Sequence, residues 1–236
     1  MLGLVLPYAG RMLVERRWVA GEGSRHVSRF SRTKRYSRDK LWEIASSFFP
    51  TLLPRNWAFG VMDRGFIITL RGLSRLGGFT ARRADSTVDF KFKRRHYFDF
   101  TFWTVPVSRW AEFIPAYLRF CEDFKRETGF RASLISEAYL MNQDDHSLLS
   151  PTANEDAFTM DVTDTRMGDP RWEEFHRRLN PLVAGFGGRP LLNQTKHLTR
   201  DVVYETLGAD WEKFIKIRET EDPDGRFLSE YFMDLM

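Results

Sequence analysis

A single cysteine, Cys121, is the whole thiol inventory of this 236-residue chain. One cysteine excludes an internal disulfide and any metal site built on several thiolates. Its neighbours Phe120 and Phe124 predict a buried structural thiol. The histidines are thinly spread: His26, His96, His146, His176 and His197 fall at no spacing that pairs ligands, so no metal site is expected. No apolar run approaches the roughly 20 residues of a membrane-spanning helix. The short run Leu2 to Leu6 has no charged segment before it and no small-residue cleavage site after it, which leaves a cytoplasmic location as the expectation. A phosphate-cradling loop is lacking too. Gly185-Phe186-Gly187-Gly188 has neither the required spacing nor a preceding strand.

What the chain does have is apolar and aromatic mass. A hydrophobic fraction of 42% with 15% aromatics, including 21 Phe and 7 Trp, is enough for a sizeable core and too apolar for general disorder. The formal charge of +4 is unevenly distributed: from Arg11 to Lys40 there are ten Lys or Arg residues against three acidic ones. This arm mixes Arg with Ser and Gly, as in Gly21-Glu22-Gly23-Ser24-Arg25, and reads as a solvated linker.

Two regions follow, an irregular basic one over 1–85 and a regular one over 86–236. In the first, Leu41, Trp42, Ala45, Phe48 and Phe49 predict a helix from Asp39 to Phe49, ended by Pro50 and Pro54. The run Phe66 to Leu70 fits a strand or a buried helical turn equally well, since periodicity does not separate the two. In the second, Val88, Phe90 and Phe92, then Phe98, Phe100 and Phe102, alternate with more polar residues and predict strands. Pro106 breaks the second of these. Ser108 is placed to cap a helix running to Thr128, with Gly129 as its stop and Pro115 predicting a kink or a later start. Strands from about Arg131 to Met141 and from Phe158 to Thr163 come next. Asp169-Pro170 then opens a helix with Trp172, Phe175, Leu179 and Val183 on its core stripe. Two more helices, after Thr199 and near Asp210, complete the pattern. The order predicts an α+β class, a mainly antiparallel sheet with helices packed on one face.

Three segments carry a family resemblance: Tyr97 to Trp103; Ile135 to Leu140 with Asp144-Asp145 and Leu149-Ser150-Pro151; and Gly188-Arg189-Pro190-Leu191-Leu192-Asn193-Gln194-Thr195 with the closing Asp222-Pro223-Asp224-Gly225-Arg226-Phe227-Leu228 turn. Together they resemble the C-terminal substrate, or cap, domain of FAD-linked oxidoreductases of the vanillyl-alcohol-oxidase type, in the aldonolactone and alditol oxidase branch. The resemblance implies an antiparallel cap sheet over a flavin held by a separate domain, with FAD as cofactor and hydride transfer from a hydroxylated small molecule. It also implies site residues. Glu137 matches a family Glu that faces substrate, and Tyr139, two residues on, stands where the family has Arg. Gln194 stands where the family has a Lys beside the flavin. By the same resemblance Asn193, Gln194 and Lys196 are the candidate cofactor contacts, and Glu137, Tyr139 and Gln194 the candidate catalytic ones. Tyr and Gln donate hydrogen bonds without the full charge of Arg and Lys.

Each residue also has a plainer reading. Glu137 alone fits the solvent side of a strand, Tyr139 a core edge, and Asn193 and Gln194 the turn before the helix that Thr199 caps. Two other functions are carried forward. The basic arm fits a nucleic-acid-binding module, although Arg94-Arg95-His96 beside its aromatic strand lacks the glycines of an RNA-recognition sheet. A non-catalytic partner subunit would offer its open sheet face to a separate FAD-binding protein.

Overall fold

The computed structural model describes residues 2–16, 56–75, 99–132, 136–164 and 168–236, with five positions between 30 and 37. The expected helix over 39–49, the alternating strand over 88–92, the Arg94-Arg95-His96 cluster and most of the basic arm lie outside the described residues. The elements run β1 (Leu2–Leu6), a 3-10 turn (Pro7–Ala9), β2 (Arg11–Glu15), α1 (Asn56–Arg75), β3 (Asp99–Pro106), α2 (Val107–Thr128), β4 (Ser136–Met141), β5 (Ala157–Asp164), α3 (Pro170–Ala184), β6 (Arg189–Pro190), α4 (Arg200–Glu221) and α5 (Glu230–Leu235). This is the α+β class that the pattern predicts.

All six strands pair antiparallel in the order β2-β1-β4-β5-β3-β6. The apolar start Leu2 to Leu6 therefore enters the sheet between β2 and β4. Alternation divides the side chains between two faces. Val5, Trp103, Val105, Ala138, Met160 and Val162 point to one side, where they meet Phe113, Tyr117 and Phe124 of α2 and Trp172, Phe175, Leu179 and Val183 of α3. Each large apolar side chain so buried stabilises by roughly 1.5–3 kcal/mol relative to exposure. Cys121 sits in this core, fully buried, and burial pushes its thiol up to about 12. It is the structural thiol expected.

On the other side of the hairpin, Leu4 and Leu6 pack against Phe59, Met62 and Phe66 of α1. The spacing of those three residues resolves the ambiguous Phe66 to Leu70 run as helix. Glycines at 60, 65 and 72 lower its intrinsic propensity, and packing of one apolar stripe outweighs that loss. Helices thus cover one face of β3 to β5, and α1 adds a layer behind the hairpin.

Local signals explain most helix ends. The Asp169 carboxylate accepts from Arg171 N at 2.9 Å, and Thr199 Oγ1 accepts from Val202 N at 3.4 Å. Gly208, at φ 49° and ψ −125°, breaks α4 into the two helices expected there. The predicted Ser108 cap is corrected: α2 begins at Val107, and the Ser108 hydroxyl donates instead to Glu155 Oε1 at 2.6 Å. Glu155 Oε2 also accepts from Ser108 N at 3.3 Å, so a distant carboxylate does the work of the local cap. The helix then runs on through Pro115 from that early start.

Candidate functional site

One cross-strand row orders the site. Leu4 of β1 faces Glu137 of β4, Glu137 faces Asp161 of β5, and Asp161 faces Phe102 of β3. Side chains directly opposite one another in antiparallel strands have Cβ atoms about 4.5–5.5 Å apart. Because Trp103 and Met160 point to the helices, Glu137, Asp161 and Phe102 share the opposite face. Tyr139, two residues beyond Glu137, lies on that face too, with its ring 6.0 Å from that of Phe102 at 57°. Its backbone N–H donates to Thr159 Oγ1 at 2.9 Å.

The row continues into the segment that carries Gln194. The Phe102 carbonyl accepts from Leu191 N at 3.1 Å and from the Thr195 hydroxyl. Gln194 N and Thr195 N both donate to Leu191 O at 2.9 Å, closing a turn. A buried amide locks the turn in place. Asn180 Oδ1 accepts from Trp103 Nε1 at 3.1 Å, while Asn180 Nδ2 donates to the carbonyls of Lys196 and His197 at 3.0 Å each. Tyr231 Oη adds a bond to Thr195 O at 2.8 Å.

The five residues singled out from the sequence fall into three places. Glu137 and Tyr139 are neighbours on the sheet face turned away from α2 and α3, both half-buried. The turn with Asn193, exposed, and Gln194, half-buried, lies past β3 at the end of the same row. Lys196 turns elsewhere: its ammonium meets Asp99 Oδ1 at 2.6 Å. Asp99 lies on the helix side of β3, where its other oxygen accepts from Trp172 Nε1 at 3.1 Å.

Asp161 is the residue that sequence reasoning missed. Burial first, and then the Glu137 carboxylate opposite, push its carboxyl up to about 7, with a partial offset from Thr163 Oγ1 at 3.4 Å. Tyr139 is raised as well, by burial and then by Asp161 and Glu137. An acidic residue between Met160 and Val162 was visible as the polar side of a strand. What the sequence does not display is the register that sets it against Glu137.

These groups suit some parts of a flavin and its substrate and not others. A flat strand surface with two carboxyls, a phenol and a pair of rings fits the edge of a ring system and a hydroxylated ligand. Nothing comparable is offered to a pyrophosphate by the glycine turn after α3. Its amides at 185, 186, 187 and 188 all donate to carbonyls within α3. A Cβ at Gly188 would lie 2.5 Å from Val183 Cγ1 and 2.9 Å from Thr104 O, so that glycine serves close packing of α3 on β3.

Among the described residues no group of three His, Cys, Asp or Glu side chains is arranged to hold a metal ion, and no helix is long and apolar enough to cross a membrane. No curated protein matches the chain. A family does: residues 33–235 match D-arabinono-1,4-lactone oxidase, an FAD-linked oxidase family. With that match spanning most of its length and the antiparallel cap-like sheet beneath it, this chain belongs to the D-arabinono-1,4-lactone oxidase family.

Proposed function

We propose that the chain is the substrate domain of an FAD-dependent oxidoreductase and that the face of β4, β5 and β3 turned away from α2 and α3 meets substrate and flavin edge. The observation that carries this reading is the row Glu137–Asp161–Phe102, which leads from the strand bearing the candidate acid–base residue to the turn bearing Gln194. FAD, when bound, supplies the hydride acceptor, since hydride chemistry belongs to the cofactor and the protein supplies orientation and electrostatics.

The residues of this chain have three tasks. Glu137 accepts a hydrogen bond from the substrate hydroxyl at the carbon being oxidised and takes its proton. Tyr139 donates a phenolic hydrogen bond from the same strand face, and the Gln194 amide donates from the end of the row. Asn193 in that turn is a candidate cofactor contact, whereas the Lys196 ammonium is drawn to Asp99 on the helix side. With Tyr and Gln where the family has Arg and Lys, the site stabilises a developing oxyanion by hydrogen bonding and without a full positive charge. The substrate is a hydroxylated small molecule. The main surface for FAD is supplied by a separate flavin-binding domain or protein.

The test is direct. The purified 236-residue protein is titrated with FAD while flavin fluorescence is followed, and is used as bait for a flavin-binding protein from its own source. Weak or absent FAD binding together with recovery of a flavoprotein supports the reading. Stoichiometric FAD on the chain alone would contradict the division of labour, and failure to recover any flavoprotein would count against the partner.

A further inference from the structure

The helix α1 packs one side on the hairpin and turns a different chemistry outward. Phe59, Met62 and Phe66 are buried against β1, while Val61 and Ile68 are 57% and 70% exposed. Residues seven apart share a helix face, here about 10 Å from each other along the axis. Arg64 and Arg75, both exposed, lie along one flank of that aliphatic pair, with Arg71 between them, and Gly65 and Gly72 lie along the other. The single acidic residue of α1, Asp63, is turned inward, where it is buried against Arg131. The outward half of the helix is therefore aliphatic at its centre, basic along one edge and without a carboxylate.

Exposed aliphatic residues and solvated arginines are each ordinary on a protein surface. Aligned on one helix, they fit one kind of partner. A nucleic-acid backbone would meet the arginines and leave Val61 and Ile68 facing phosphate. An anionic bilayer takes both: its headgroups attract guanidinium groups, and its boundary between headgroup and acyl chain takes up short aliphatic side chains. The stems of the arginines lie along that boundary while their charges stay at headgroup level. The stretch from Arg11 to Lys40, with ten Lys or Arg residues against three acidic ones, adds charge of the same sign to the N-terminal part of the chain. We propose that the outward face of α1 docks on an anionic lipid bilayer, lying in its plane, with Val61 and Ile68 entering the apolar boundary and Arg64 and Arg75 on the headgroups. The helix lies on the membrane and does not cross it, since no helix among the described residues is long and apolar enough to do so.

Sedimentation of the full 236-residue chain with lipid vesicles tests this. Vesicles of phosphatidylcholine alone are compared with vesicles in which about a third of the lipid is phosphatidylserine. Binding is expected to the second kind only, and to fall away as salt is raised from about 0.1 M to about 0.5 M. Arg64→Gln with Arg75→Gln should weaken it roughly 20-fold, because each basic side chain near such a surface contributes about fivefold. Val61→Gln with Ile68→Gln leaves every charge in place and should weaken it roughly tenfold. Glutamine is a good helix former and all four positions face away from the hairpin, so both variants should keep the melting temperature and far-ultraviolet circular dichroism of the parent. Absence of binding, or equal binding to phosphatidylcholine alone, overturns the proposal. So does binding that either pair of substitutions leaves unchanged. Two other results would reassign the face: binding of duplex DNA that the arginine pair weakens and the aliphatic pair does not, or self-association of the free chain that the aliphatic pair abolishes. Each of these overturns lipid as its partner.

Discussion

Two acidic residues of this chain, Asp63 and Asp161, are held largely out of water in opposite company. Asp63 on α1 meets the buried guanidinium of Arg131, which also lies over the Tyr8 ring at 4.4 Å and the Phe59 ring at 5.8 Å. Burial raises the Asp63 carboxyl and Arg131 pulls it back. Asp161 meets Glu137, and there both effects raise it. The first arrangement is what a fold needs to seat α1 behind its hairpin. In the second, burial and the neighbouring charge act together against the ionised form, an arrangement found where chemistry or binding requires it.

Breaking the paired site should have the largest effect. Arg131→Met leaves the Asp63 carboxylate without its cation and should lower stability by about 3–5 kcal/mol, read from urea unfolding. The double change with Asp63→Asn should recover much of that loss, because no uncompensated charge then remains.

A second contrast lies beside Asn180, whose amide has three partners, while the neighbouring His176 has both ring nitrogens buried without one among the described residues. His176 is pushed down to about 4, chiefly by burial and next by His197, with Lys196 adding to the fall and Asp99 and Asp164 opposing it. Below about pH 6.5 the unfolded histidine takes a proton that the folded one refuses. Stability is therefore lost progressively as pH falls from about 6.5 to 4, by about 3 kcal/mol at the lower end. His176→Phe should flatten that slope in melts run across the window. Asn180→Ala strands the Trp103 indole N–H and two carbonyls and should cost about 2 kcal/mol at any pH, with a change in near-ultraviolet circular dichroism.

The remaining effect has the opposite sign. The folded Asp161 keeps its proton up to about 7 whereas the unfolded one releases it near 4, so this residue's contribution to stability declines as pH rises between those values. Asp161→Asn should then raise the melting temperature at pH 8.5 by roughly 10 °C and leave it nearly unchanged at pH 4. Equal effects at the two pH values would remove the contrast with Asp63.

Much of the fold was legible because it is written locally. Asp169-Pro170, Thr199 and the break at Gly208 each act within a few residues, and strict alternation marks β3 and β5 without reference to any partner. Ser108 shows where local reading stops, since Glu155 reaches it from a loop that no spacing rule connects to it. Strand order was hidden for the same reason. Nothing in Leu2 to Leu6 announces a place beside Ser136–Met141, because pairing is decided by which strand can bury both faces of which neighbour. At the site, Glu137, Tyr139 and Gln194 came from a resemblance to a family. Asp161 became visible only when register set it opposite Glu137, and Asn180 only when α3 was laid over Trp103.

The insertion of β1 between β2 and β4 bears on how the protein reaches its native state. The strand with Glu137 takes its outer neighbour from Leu2–Leu6, far earlier in the sequence than Ser136–Met141, so the two can pair only across a long intervening segment. Contacts so distant in sequence slow folding, because a long loop must close before they reward it. Trimming the chain to begin at residue 86 would leave β4 as a bare margin with unsatisfied N–H and C=O groups, open to pairing with another molecule. Dimers or aggregates from such a trimmed protein, with the untrimmed chain remaining monomeric, would trace the solubility of the whole to residues 1–85.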